Sequence, residues 1–171
     1  NTNGELYSIN YLNQRINWFL NLQSKNPNID TSLFQGSPLI IRDNNVIVSI
    51  GNSLHNYNSL SGLKIWEKNI SIAEQGILTK NNLFLFTKNN LLICLNSKTG
   101  QIIWSKKIFN QIKTLNNKKM YKSIKKISHL LIVNNEIFLF SSEGYLLSFD
   151  YNNGKINYIN RILKSGLKNR P

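Results

Sequence analysis

Eight carboxylates, two histidines and one cysteine are the first groups in this chain to weigh for moving a proton, attacking a carbon or holding a metal. One common arrangement for acid–base work holds two carboxylates, or a carboxylate and an imidazole, on one site with their pKa values pushed apart. Glu5, Glu67, Glu74, Glu136 and Glu143 are scattered, Asp30 and Asp43 fall in connections, and Asp150 falls in a turn, so no carboxylate pair is visible. A zinc or iron site needs Cys or His at short fixed spacings. His55 and His129 are far apart with no second ligand near either, and both read as structural or surface residues. Cys94 stands alone inside the apolar run Leu91–Leu95, which excludes an intrachain disulfide and makes it a small buried hydrophobe. No catalytic, cofactor-binding or metal-binding residue is assigned on these patterns.

The formal charge of +13 over 171 residues raises nucleic acid or an acidic surface as a partner. The excess comes with many Asn and Ile, few Ala, Gly and Pro, and an even spread along the chain, so it reads as a compositional bias. The densest basic stretch holds Lys113, Lys118, Lys119, Lys122, Lys125 and Lys126. Tyr121 is the aromatic that accompanies them, which is too little for a base-stacking platform. A solvated loop is expected there, with Lys118, Lys119, Lys122, Lys125 and Lys126 as a candidate protein-partner surface, and no nucleic acid. No apolar run reaches transmembrane length and no signal peptide is visible. The chain opens on Asn1 in the middle of a repeat, and a piece of a longer protein is expected.

The elements that would position any site are repeated. Asn96-Ser97-Lys98-Thr99-Gly100-Gln101-Ile102-Ile103-Trp104 reads as a strand end, a tight turn, and a new strand carrying a tryptophan. The phrase recurs as Asn58–Trp66, as Asp150–Tyr158 with Tyr for Trp, and as Asn10–Trp18 with Gln14 for Gly. Gly62, Gly100 and Gly154 each precede the aromatic by four residues. Trp18, Trp66, Trp104 and Tyr158 are spaced by 48, 38 and 54 residues, against the roughly 40 that four short strands and their turns require. The strands between them are apolar runs rather than strict alternations, as expected of sheets packed on both faces.

These observations predict an all-β chain of four-stranded antiparallel blades, about three and a half of them, in a β-propeller. A half blade is expected over 1–24, blades over 33–72, 73–108 and 127–163, the basic insertion over 109–126, and the lead-in to a further blade over 164–171. Almost no helix is expected outside 109–126. Trp18, Trp66, Trp104 and Tyr158 are expected to be buried between blades as core, rather than to form a carbohydrate-binding ladder.

The repeats resemble the tryptophan-docking repeats of quinoprotein-type propellers, in which a small residue, an apolar residue and Asp end a strand before Thr-Gly and Trp. Cys94-Leu95-Asn96 with Thr99, Gly100 and Trp104 matches with Asn for Asp, and Ser148-Phe149-Asp150 with Gly154 and Tyr158 matches with Tyr for Trp. Asn56-Tyr57-Asn58 with Gly62 and Trp66 lacks the small residue, and Ser8-Ile9-Asn10 with Trp18 lacks the Gly. Within that superfamily the short blades are most similar to the BamB family of outer-membrane β-barrel assembly lipoproteins. That resemblance implies a non-enzymatic scaffold in a propeller of about eight blades. It implies periplasmic placement at the outer membrane through an N-terminal lipid anchor, no cofactor, and barrel-assembly components or unfolded outer-membrane proteins as partners. The alternative within the superfamily is a quinone-dependent alcohol or sugar dehydrogenase, which would imply bound calcium, a carboxylate base and adjacent cysteines.

Overall fold

The computed structural model describes residues 4–22, 39–114, 124 and 126–166. The chain divides into two units: Asn1–Ser71 with Lys98–Gly100, and Ile72–Ser97 with Gln101–Pro171.

The first unit holds an antiparallel pair, β1 (Glu5–Ile9) and β2 (Ile16–Asn21), and a four-stranded sheet. That sheet runs β3 (Ile40–Arg42), β4 (Asn45–Ile50), β5 (Ser53–Asn58) and β6 (Lys64–Lys68), each strand antiparallel to the one before. Val46 and Val48 alternate on one face of β4, and with Tyr57 and Leu22 they form a core that Leu6 and Leu20 flank. In the second unit β7 (Ile77–Leu78), β8 (Asn82–Phe86), β9 (Leu91–Asn96) and β10 (Ile102–Lys107) make one meander. A second meander is β11 (Ile127–Val133), β12 (Glu136–Ser141), β13 (Tyr145–Asp150) and β14 (Ile156–Arg161). Phe84 and Phe86, Leu92 and Cys94, Ile137 and Leu139, and Leu147 and Phe149 stand two apart on their strands and share one core.

The strands begin and end where turn chemistry demands it. Asn135, Asp43 and Asn90 take φ of 61°, 51° and 60°, the left-handed region that Asn and Asp tolerate better than most residues. The central strands are buried on both faces: β4 and β9 are covered over four successive residues. The fourth strands are less covered, with β2, β10 and β14 alternating between partly buried and exposed along much of their length.

The basic insertion departs from a solvated loop at its start. Residues Ile108–Thr114 form helix α1, one residue ahead of the expected boundary. Ile108 and Ile112 are one helical turn apart and fully buried, and Ile124 is buried in the same core. Lys118, Lys119, Lys122 and Lys125 lie outside the described residues, whereas Lys113 and Lys126 are exposed.

Phe84 is fully buried and touches the rings of Trp104 and Tyr151 at centroid distances of 6.0 and 4.6 Å. Phe84→Ala should lower unfolding free energy by about 3–5 kcal/mol in a urea titration. A change under about 0.5 kcal/mol, the range of ordinary surface substitutions, would contradict this packing.

Candidate functional site: the repeated turn and its aromatic

The strand-end turn shares one backbone frame in all four copies and one pattern of side-chain caps in three of them. Asn10 Oδ1 accepts the N–H groups of Leu12 and Asn13 at 2.9 and 3.4 Å. Asn58 Oδ1 accepts those of Leu60 and Ser61 at 2.9 and 3.0 Å, and Asp150 Oδ1 those of Asn152 and Asn153 at 2.9 and 3.0 Å. A short polar side chain at the strand end thus satisfies two backbone donors that the turn frees from the ladder. The residue three positions later closes the turn: Asn13 Oδ1, Ser61 Oγ and Asn153 Oδ1 accept the N–H of Arg15, Leu63 and Lys155. Thr99 occupies that position in the third copy. The backbone frames all four, from Asn10 N–H to Arg15 O, Asn58 to Leu63, Asn96 to Gln101 and Asp150 to Lys155, at 2.8–2.9 Å.

Gly62, Gly100 and Gly154 follow with φ of 72°, 68° and 65°, and Gln14 takes φ 58° in their place. The glycines have a second reason to lack a side chain. A Cβ on Gly62 would lie 2.8 Å from Trp18 Cδ2, one on Gly100 2.8 Å from Trp66 Cδ2, and one on Gly154 2.5 Å from Trp104 Cζ3. Each indole therefore lies flat against the turn of the next copy, not its own. Trp18 also donates Nε1–H to Ser59 O at 2.9 Å. The stems of Lys68 and Lys106, two residues beyond Trp66 and Trp104, cover Gly100 and Gly154 beside the rings.

A register shift aims each aromatic. The third and fourth strands of every sheet, and the β1–β2 pair, slip by one residue immediately before it. Asn17, Ile65, Ile103 and Asn157 are the extra residues of these bulges, and all four are exposed. The aromatic then stands opposite Ser8, Asn56, Cys94 or Ser148. Periodicity gives no hint of the bulge. The polar or β-branched residue just before each aromatic was the available signal.

Burial of the four aromatics is uneven, which corrects the expectation that all are core. Trp66 is 7% exposed, Trp18 and Trp104 are half-buried, and Tyr158 is 38% exposed. The difference follows from the turn each ring covers, since no later copy of the turn follows Tyr158 among the described residues. In the second unit helix α1 reinforces the same place. Gln111 donates Nε2–H to Gly154 O at 3.0 Å and accepts Ile156 N–H at 2.9 Å.

The titratable groups are dispersed. Among the described residues no three His, Cys, Asp or Glu side chains gather as a metal site. Burial pushes the Cys94 thiol up to about 11, so it is not a nucleophile at neutral pH. His55 faces Glu67 across β5 and β6 with Nδ1 3.6 Å from Oε2, while Lys64 Nζ holds the same oxygen at 2.7 Å. Burial lowers the His55 pKa, and Glu67 opposes this only in part. A cleft of about 350 Å³ opens between Glu74–Leu78 and His129–Leu131, with His129 Nδ1 2.9 Å from Ser128 Oγ.

Four-stranded meanders joined by aromatic-on-glycine contacts define the class as a β-propeller of PQQ-like repeats. The family model described as "Outer membrane protein assembly factor BamB" matches residues 1–106, and the chain belongs to that family. An uncharacterized protein of Rickettsia conorii is 27% identical over 172 residues, covering 94% of this chain and 40% of its own length. BamB from Moraxella catarrhalis superposes with a TM-score of 0.65 at 13% identity, over 94% of this chain and 44% of that one. The quinohemoprotein alcohol dehydrogenase of Comamonas testosteroni gives 0.52 at 14% identity, over 72% of this chain and 20% of that one. At such identities the structural likeness establishes the fold alone. The chain spans about two fifths of the length of the curated relative.

Gly154→Ala should cost about 1–3 kcal/mol more than Gly51→Ala in chemical denaturation. Both residues have left-handed φ, so both pay that strain, but a Cβ on Gly51 meets nothing within 4 Å. Equal losses would show that the indole contact is not what the glycine serves. Because its folded pKa is lowered, His55 supports the fold fully above the unfolded value and less as pH falls below about 6.5. His55→Gln should therefore flatten part of the stability loss on acidification below that pH, measured by thermal melts. An unchanged slope would contradict it.

Proposed function

We propose that this chain is part of a non-catalytic propeller that holds protein partners during outer-membrane protein assembly, on the periplasmic side of the outer membrane. The match of residues 1–106 to the BamB family carries this reading. A propeller suits the role physically. Its sheets are rigid and buried, and its turns lie at the strand ends, where a stiff core presents them without the entropy cost of ordering a free loop.

The partners are components of the barrel-assembly machinery. Unfolded outer-membrane protein could also be held, by strand addition along an unpaired sheet edge. The basic stretch that contains Lys118, Lys119, Lys122, Lys125 and Lys126 would meet an acidic partner, and its charge would speed encounter more than it sets affinity. An N-terminal lipid anchor would keep the whole protein at the membrane. A second reading, a propeller segment of a quinone-dependent dehydrogenase, draws on the likeness to the Comamonas enzyme. It asks in addition for calcium ligands and adjacent cysteines.

Affinity capture with the full protein from envelope extracts should recover barrel-assembly components. Lys118→Glu, Lys119→Glu, Lys125→Glu and Lys126→Glu together should slow association severalfold, most at low salt. Failure to recover any such component, with quinone-dependent alcohol oxidation by the purified protein, would overturn the scaffold reading in favour of the dehydrogenase.

A further inference from the structure

Two turns of the first unit carry exposed leucines at positions where the other copies carry polar residues, and the first of them adds an exposed tyrosine. Tyr11 and Leu12 sit in the β1–β2 turn and Leu60 and Leu63 in the β5–β6 turn, at 86%, 78%, 73% and 71% exposure. Counted from the capping Asn or Asp, Leu12 and Leu60 occupy the place of Lys98 and Asn152. Nothing in the turn asks for leucine there, because the hydrogen bonds that close it come from the cap, the residue after the tip and the backbone. Clustered exposed apolar groups of this kind mark a contact surface. The two turns share one end of the unit: Trp18, three residues after Arg15, lies on Gly62 and donates to Ser59 O.

The charge around them is mostly positive. Arg15 closes the first turn, Lys64 follows Leu63, and Arg42 flanks the β3–β4 turn that accepts from Ser59 through Asn44 O and Asp43 O. Lys98 belongs to the turn whose Gly100 lies on Trp66. Asp43 opposes them, and Glu67 is tied to Lys64 at 2.7 Å. The balance of these side chains is positive.

We propose that these turns are a membrane-contact face: Tyr11, Leu12, Leu60 and Leu63 enter the headgroup region of a bilayer containing anionic phospholipid, and Arg15, Arg42 and Lys98 meet its phosphates. The shape favours a lipid surface. The side chains project from turn tips with most of each exposed, and a deformable interface closes around each one, whereas a rigid protein would need a matching pocket for each. Tyr11 has the amphipathic ring that settles at headgroup level, and basic side chains near an anionic leaflet add attraction. This contact is independent of the barrel-assembly reading, since it is measured with lipid alone.

The test uses the full protein, purified without lipid modification, sedimented with vesicles of phosphatidylcholine alone or mixed with phosphatidylglycerol. Binding is expected to the mixed vesicles and to weaken as salt rises. Leu12→Ser, Leu60→Ser and Leu63→Ser together should lower partitioning by about tenfold or more, with the thermal melt unchanged because these residues are exposed. Arg15→Glu with Lys98→Glu should abolish the preference for phosphatidylglycerol. Absence of binding to either vesicle, or full binding by the triple serine variant, would overturn the proposal. Loss of protein capture by that variant without any vesicle binding would assign the face to a protein instead, and overturn it equally.

Discussion

An indole laid on a glycine is the contact from which the rest of this architecture follows. For Trp18, Trp66 and Trp104 to reach Gly62, Gly100 and Gly154, the turn must expose a bare backbone face, and a Cβ there would stand within 2.5–2.8 Å of the ring. The glycine's positive φ follows from a turn tight enough to present that face. The Asn or Asp at the strand end keeps the turn tight by satisfying its free N–H groups. The bulge one residue before the aromatic swings the ring toward the next turn instead of its own cross-strand neighbour. In the β1–β2 copy the cap, the bulge and Trp18 persist without the glycine, and Gln14 takes the positive φ in its place.

Such a scaffold separates stability from recognition. The middle strands bury both faces, and the ring-on-turn contacts tie one sheet to the next copy of the turn without using the outermost residues of that turn. Those tip positions are left to vary: Leu12 and Leu60 in two copies, Lys98 and Asn152 in the others. Chain inserted between sheets is likewise tolerated where it can be pinned. Helix α1 does so by burying Ile108 and Ile112 and by lending Gln111 to the turn at Gly154. In the second unit Tyr151 adds a polar tie, its hydroxyl 3.2 Å from Thr79 Oγ1 and 3.4 Å from Asn82 Nδ2.

Much of the fold was legible because its signals are local. Strand ends such as Leu91–Asn96 and Glu136–Ser141 are announced by apolar runs and by Asn, Asp and Gly within a few residues, and turn conformation is settled over four to six residues. Helix α1 was harder to see, since its apolar pair Ile108 and Ile112 spans only one turn of helix. The candidate site was legible as a list of residue types and not as contacts. Tyr158 has the same place in its phrase as Trp66 yet is exposed, and His129 reads as an isolated residue yet lines a cleft with Glu74.

The sequence by itself determined the repeat, the turn chemistry and the residues able to take left-handed backbone, because all of these are settled between near neighbours in the chain. Which turn each tryptophan covers was decided only by the tertiary structure. The partners are 44, 34 and 50 residues apart, and closing chain lengths of that size depends on strand register and bulges in two different sheets. The same long-range step bears on burial: the three tryptophans that the next copy of the turn covers are buried or half-buried, and Tyr158, which no turn among the described residues covers, is 38% exposed.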